Sequence, residues 1–468
     1  VTKREDAGAT RAFPALILLV AAVLHAVLGW NELRPAPRGL NGDEVTYLER
    51  AEALRSGGPA PADDLLWPPL YPRFLAAAGW LFGSPVRGAQ AIQLALLLAA
   101  AGLLAGVARR LGLRPATSFA CGGFLLVYPP VAAFAWYLWP EVLHLVLFLA
   151  VLRILMARGD ALRWTAVAGA LLGLALLTKS LLVPFWPLLF LPLFLADHGS
   201  PSSATTSPVG RRRFLRTALA VAVAAAVLAV TVAPTLHANH RRTGRWILAG
   251  SGTFNLWVGL NDRSRKSLED PVVWPAYQEY LASGEDWGER QEVLHREIRE
   301  LVAERGVVDV LGDQLWRQYF RLFDRDSYLT EQLPGGALAG GPRGYREPPA
   351  AVAAALRTAS YLPYALLLVL AAAGVALGTK SLPSASTSPR RRGWWWLLLA
   401  FAGYNLALFL LLHVKSRYRV QLLPALILYA GLAWDALATV RPLPRGRLAG
   451  ASVLALLLLV LAFGGDWW

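Results

Sequence analysis

The sequence predicts an all-α integral membrane protein with about eleven transmembrane helices, surface helices in its first outer loop and a small helical outer cap. Three observations carry this expectation. Apolar residues make up 56% of the 468-residue chain and charged residues only 16%, at a mean hydropathy of +0.43, whereas a soluble domain carries about 25% charged residues. The apolar residues fall into runs near the roughly 20 residues needed to cross a bilayer core about 30 Å thick. Arg and Lys concentrate in alternate connections between those runs. An ordinary cytosolic enzyme is thereby excluded, and the dominance of Leu, Val, Ala and Trp excludes a disordered chain.

The spans are expected over 13–30, 86–108, 115–133, 140–157, 164–181, 182–196, 214–236, 355–378, 394–413, 418–437 and 447–464. The fifth and sixth lie close together, separated only by Thr178-Lys179-Ser180 and Pro184. Phe13 to Trp30 is long enough to span and shows no small-residue cleavage pattern. The even-numbered connections carry Arg109, Arg110 and Arg114; Arg158 and Arg163; Arg211 to Arg213; Lys380 with Arg390 to Arg392; and Arg441, Arg445 and Arg447. With Lys3, Arg4 and Arg11 these fall on one side if the N-terminus is cytoplasmic, and an odd number of spans then puts the C-terminus outside. The formal charge of +15 is therefore read as a topology marker, and no nucleic-acid partner is expected. The single cysteine, Cys121, excludes a disulfide framework and a Cys-based metal site, and reads as a small buried thiol.

Three regions follow: an N-terminal transmembrane catalytic module over 1–236 with its first outer loop at 31–85, an outer loop with a helical cap over 237–350, and C-terminal transmembrane helices over 351–468. Two helix-period stretches mark the cap: Val293, Leu294, Ile298, Leu301 and Val302, then Leu311, Leu315, Tyr319 and Leu322. The Pro/Ser/Thr-rich inner loops 200–208 and 381–389 read as linkers.

Chemistry is expected at the outer helix ends. In Asn41-Gly42-Asp43-Glu44-Val45-Thr46-Tyr47, Asp43 stands where a helix begins, with Tyr47, Ala51 and Leu54 on one apolar face. A carboxylate there is stabilised in its ionised form by the helix dipole, which suits a general base acting on a hydroxyl. The same residues also read simply as an N-cap and a first-turn acid. Trp67-Pro68-Pro69-Leu70-Tyr71-Pro72-Arg73 is a stiff elbow leading to a second surface helix. It could wall a lipid-facing cavity and present Arg73 at headgroup level, or be a plain turn. Glu141, after Trp139-Pro140, opens an apolar helix as a candidate second carboxylate. It could position an acceptor or share a hard divalent cation, Mg²⁺ or Mn²⁺, with Asp43. As a helix-start acid it needs no function.

Cations also occur where the topology disfavours them. Lys415, Arg417 and Arg419, with His413 and Tyr418, lie between the ninth and tenth spans; Arg241 and Arg242, with His237, His240 and Arg245, follow the seventh; Lys179 falls on the same side. An anionic ligand explains such placement, since Arg and Lys suit phosphate; anchoring to anionic lipid headgroups is the alternative.

In this order the pieces resemble the GT-C superfamily of glycosyltransferases, in particular the dolichyl-phosphate-mannose protein mannosyltransferase-like group with the bacterial aminoarabinose and Rgt-type transferases. The matching residues are Asp43-Glu44 with Tyr47, Pro68-Pro69-Leu70, Pro140-Glu141, and Gly173 through Leu177-Thr178-Lys179. Pro234 with Arg241, Phe254-Asn255-Leu256-Trp257-Val258-Gly259-Leu260-Asn261, and Arg417-Tyr418 before Leu423-Pro424 complete the set. The resemblance spans about residues 13 to 437. It implies a cavity open to the outer leaflet, lined by Tyr47, Trp67, Pro68, Pro69, Asn255 and Asn261, and a polyprenyl-phosphate-linked sugar as donor. It further implies Asp43 as base, with Lys415, Arg417 and Arg241 or Arg242 on the departing phosphate, at the outer face of a bacterial inner membrane. The acceptor could be an envelope glycan, a lipid or a protein. Trp67 replaces a basic residue frequent before Pro-Pro-Leu in bacterial relatives, so Arg73 is the substitute candidate. The rival readings are a lipid or solute transporter, which calls for repeats and mid-membrane charges, and an O-antigen ligase- or polymerase-like enzyme, which would lack Asp43-Glu44 after the first span.

Overall fold

The computed structural model describes residues 2–33, 39–40, 42–58, 65–159, 161–195, 208–261, 273–339, 348–378, 388–437 and 445–467. Among them the protein is helical and contains no β-strand. Asn41 and most of the linkers 200–208 and 381–389 lie outside the described residues.

α1 (Thr2–Glu32) is followed by two short helices of the first loop, α2 (Asp43–Ser56) and α3 (Leu70–Phe82). α4 (Pro85–Leu111) begins behind Ser84, whose hydroxyl accepts from the Arg87 N–H. α5 (Pro115–Val127) and α6 (Pro129–Ala132) are bent by 60°, because Pro129 and Pro130 contribute no N–H to the helix ladder. α7 (Glu141–Arg158) and α8 (Leu162–Thr178) complete the first bundle, and α9 (Pro208–Thr243) packs on α8. The cap consists of α10 (Ser251–Asn261), α11 (Val273–Ala282), α12 (Trp287–Arg305), α13 (Val307–Phe323) and α14 (Tyr328–Gln332). Phe254, Trp257, Val258, Tyr280 and Leu294 of the cap form an apolar cluster with Leu66 of the first loop. α15 (Ala350–Leu377), α16 (Pro389–Leu411), α17 (Leu423–Leu437) and α18 (Arg445–Phe463) close the bundle.

Among the described residues six helices are long and apolar enough to cross a membrane, and seven if the bent pair counts as one span. This establishes a multi-pass, all-helical membrane architecture, and the expected count of eleven stands above it. The four remaining stretches fall short for identifiable reasons. α7 carries Glu141, Arg153 and Arg158; α8 and α17 are 17 and 15 residues long. The stretch expected at 182–196 is not an α-helix at all: Trp186–Phe194 is a 3₁₀ helix. Pro184, Pro187 and Pro192 withhold the N–H groups that an α-helical ladder needs. The stretch nevertheless runs alongside its neighbours in the bundle. A Cβ on Gly173 would lie 2.7 Å from Thr231 Cβ, and Gly169 abuts the Ala224 carbonyl, so α8 and α9 run parallel. The chain between them must therefore return, and it does so alongside α16: the Tyr404 hydroxyl donates to the Leu181 carbonyl at 2.5 Å, while Gly393 abuts Leu195.

At the end of the bundle where α16 begins, the Arg114 N–H and Nε donate to Asp435 at 2.7 and 2.8 Å, and Thr117 adds a third bond. A buried carboxylate in α17 is thus satisfied and ties α5 to α17.

Candidate active site

Gly42 occupies the N-cap of α2 at φ +53°, and no side chain caps the helix. Asp43 is therefore the first helical residue rather than the N-cap that its position in the sequence suggested, and its carboxylate is available for other contacts. Glu44 is buried, and its Oε1 accepts the Leu138 N–H at 2.8 Å. Of the expected apolar face, Tyr47 and Ala51 are buried and Leu54 is exposed. Tyr47 meets Tyr71 and Trp67 edge-on at 5.1 and 6.3 Å, so α2 rests on the elbow and on α3.

The carboxylates of Asp43 and Glu141 line one cavity of about 160 Å³. Asp43 Oδ2 accepts from Arg417 Nη2 at 2.7 Å, and Glu141 Oε1 accepts from Lys179 Nζ at 2.7 Å. The start of α7 and the ends of α8 and α16 converge here, so the cavity lies at one end of the bundle. Aromatic rings hold the cations. The Arg417 guanidinium lies 3.6 Å from the Trp139 ring centre and Lys179 lies 5.7 Å from that of Tyr418. Phe409 stacks on Tyr418 at 5.5 Å. The segment before α7 is anchored from α4: Gln90 Nε2 donates to the Trp136 carbonyl and Gln93 Nε2 to that of Tyr137, both at 2.9 Å.

Burial alone pushes the Asp43 carboxyl up, but Arg417 and then Lys415 outweigh it and hold it below the usual carboxylate range. Glu141 Oε2 is buried without a hydrogen-bond partner, and its side chain is 1% exposed. Such an atom is an acceptor aimed at whatever enters the cavity.

Tyr47, Trp67, Pro68, Lys179, Asn255, Lys415, Arg417 and Tyr418 also border this space, whereas Glu44, Pro69, Arg73, Arg241, Arg242, Asn261 and Arg419 do not. Arg73 is exposed on α3; Arg241 and Arg242 are exposed at the end of α9. Asn261 turns back to bond the Trp257 carbonyl at 2.9 Å. Arg419 diverges from Arg417 because Ser416–Gln421 is a 3₁₀ turn, in which residues two apart point in different directions. It grips the carbonyls of Asp324 and, at 3.3 Å, Asp326, and its guanidinium lies 4.4 Å from the Tyr364 ring centre. Tyr328 from this cap segment packs edge-on against Trp139 at 5.3 Å. Arg417, Trp139, the cap segment and Arg419 thus form a closed ring of contacts. Trp139 had only the appearance of an interfacial aromatic in the sequence, and its place directly before Pro140-Glu141 was the available signal.

A Mg²⁺ or Mn²⁺ ion shared by Asp43 and Glu141 would compete with the partners these carboxylates already have. Asp43 and Glu141 each already hold a cation, Lys415 adds further positive charge, and among the described residues no three His, Cys, Asp or Glu side chains gather to hold a metal ion.

No protein-family model and no curated protein sequence matches the chain. Among solved structures it is similar to two crystal structures of the Archaeoglobus fulgidus oligosaccharyltransferase. One is the apo form, at 14% identity, and the other is tethered by a disulfide to an acceptor peptide containing the NVT sequon, at 12% identity. Both align with a TM-score of 0.50 over 97% of this chain and 55% and 54% of theirs, so the chain spans about half their length. The fold is GT-C-like.

Proposed function

We propose that the protein is a glycosyltransferase that moves a sugar from a polyprenyl-phosphate-linked donor to an acceptor at the outer face of a bacterial inner membrane. The acceptor is an envelope glycan, a lipid or a protein. The observation that carries this reading is the facing of two carboxylate–cation pairs, Asp43–Arg417 and Glu141–Lys179, in one cavity at the end of a membrane bundle. All eleven stretches cross the membrane in this reading, with the N-terminus cytoplasmic and the cavity outside.

In the reaction, Asp43 takes the proton of the acceptor hydroxyl as that oxygen bonds to the anomeric carbon. The bond from this carbon to the phosphate oxygen breaks, and the electron pair leaves with polyprenyl phosphate. Asp43 is ionised at neutral pH because Arg417 and Lys415 stabilise its charge. Arg417 binds Asp43 through Nη2 while its Nε has no hydrogen-bond partner, so one guanidinium can hold base and leaving group together. Lys415 adds charge at the rim. Fixed cations at a departing phosphate act where charge develops and need no reorganisation. Glu141 Oε2 accepts a sugar or acceptor hydroxyl.

The test uses the protein in lipid discs with a panel of polyprenyl-phosphate sugars and envelope acceptors, following free polyprenyl phosphate by mass spectrometry. Asp43→Asn should lower release by about 10²–10⁴-fold, the range for a lost general base. Equal release by both proteins removes Asp43 from the mechanism; absence of both release and donor binding removes the transferase reading and leaves the transporter.

A further inference from the structure

Surface helices normally turn apolar residues inward and polar residues outward. α13 departs from this: it buries Val310, Phe320, Leu322 and Phe323, but it also buries four polar side chains while apolar ones face outward. Gln314, Arg317, Gln318 and Arg321 are buried. Gln314 Nε2 donates to the Gly259 carbonyl at 2.7 Å, and Gln318 Nε2 donates to Gln314 Oε1 at 2.6 Å. Val308 is 83% exposed and Leu315 53%, with Val307, Leu311 and Trp316 also outside. Val308, Leu311 and Leu315 recur at helical spacing and form a continuous stripe. Asp309 and Asp313, one turn apart, are exposed on a different flank.

The position of the helix identifies what covers this stripe. α13 packs on α16 and α18, both long enough and apolar enough to span a membrane. The Tyr319 hydroxyl donates to the Leu406 carbonyl at 3.0 Å, five residues before the end of α16 at Leu411. At about 1.5 Å per residue this contact lies about 7.5 Å along the axis from the helix end, so α13 sits beside the end of a membrane-length helix, where interfacial helices lie. Leu411 on α16 and Leu456, Leu457 and Val460 on α18, the two helices against which α13 packs, are exposed as well.

We infer that α13 is an interfacial helix whose outward stripe is immersed in the lipid leaflet beside the cavity, with the Asp309–Asp313 flank in the aqueous phase. The lipid surface is the partner; the glycosyl-transfer reading is not required. α13 also touches the Ser416–Gln421 turn and, through Gln314, α10. Its depth in the leaflet therefore helps fix two walls of the cavity.

The test places single cysteines in a full-length Cys121→Ser background at Val308, Leu315 or Asp313, labels each with an environment-sensitive fluorophore and reconstitutes the proteins in lipid discs. Labels from Val308→Cys and Leu315→Cys should be quenched by brominated acyl chains and shielded from aqueous iodide, with the opposite pattern from Asp313→Cys. Unchanged thermal unfolding identifies correctly folded variants, and two stripe positions guard against the loss of one. Iodide quenching at Val308 and Leu315 equal to that at Asp313 overturns the inference. So does shielding from both quenchers, which would mean that protein covers the stripe.

Discussion

Arg417→Ala tests the centre of the site by leaving Asp43 without its ion-pair partner. Breaking a buried pair from one side costs about 3–5 kcal/mol. Asp43 retains 24% exposure to the cavity, and Lys415 stays on the rim, so the lower end, about 3 kcal/mol, is expected at neutral pH. The pH dependence identifies the group responsible. In the wild type the Asp43 carboxyl is held below its ordinary value of 3.8. Its contribution is therefore complete above that value and is lost as the pH falls through the lower folded-state range. Without Arg417, burial pushes the carboxyl up, so the variant's deficit should shrink on acidification through the carboxylate range. Thermal unfolding in lipid discs at a series of pH values reads this directly. A deficit independent of pH would refute Asp43 as its source. In the same discs polyprenyl phosphate should bind about 10- to 100-fold more weakly, equivalent to about 1.5–3 kcal/mol for lost charge-assisted hydrogen bonds. Unchanged affinity would refute the phosphate contact.

Further expectations concern the surrounding contacts. Glu141→Gln leaves Lys179 buried without its counter-charge and should destabilise by about 3–5 kcal/mol, whereas Glu141→Gln with Lys179→Met should recover much of the loss in calorimetry. Arg419→Ala removes the clamp on the Asp324 and Asp326 carbonyls, so polyprenyl phosphate should bind more weakly although Arg417 is intact; Arg419→Lys should restore part of it. At Gly259 a Cβ would lie 2.7 Å from the His413 N and 2.9 Å from the Leu412 C, both backbone atoms. Gly259→Ala should therefore cost about 1–3 kcal/mol as an overpacking change, seen as a lower Tm.

Much of the architecture is legible in the sequence because a bilayer imposes length and apolarity on each crossing. Glu141, Lys179, Lys415 and Arg417 stand out for the same reason, each being charged at the margin of an apolar run, and Asp43 because it opens an amphipathic stretch of the first loop. Their pairing is invisible, since nothing in a linear pattern joins positions 43 and 417. The different fates of Arg417 and Arg419 follow from their two-residue spacing on a helical turn, which points them to different sides; a run of four basic and polar residues does not announce that turn. Leu311 and Leu315 reveal a second limit. Periodicity identifies an apolar face on α13 but not which solvent it meets, and only the packing shows Gln314 and Gln318 turned inward. The 3₁₀ course of Trp186–Phe194 was foreshadowed by its prolines, which an apolar-length criterion ignores.

The two ion pairs become available at different times as the chain is made. Lys179 follows Glu141 by 38 residues, about 2–8 s of synthesis at about 5–20 residues per second. Arg417 follows Asp43 by 374 residues, about 20–75 s at the same rate. For that interval Asp43 is a carboxylate on a nascent loop without its guanidinium, best accommodated in water while the later helices are inserted. Ribosome stalling before residue 417 would leave the loop unlatched, with Trp139 lacking the cation that covers it. Protease sensitivity of the first loop would then report how far translation had advanced, and closure of the cavity would coincide with arrival of the last part of the chain.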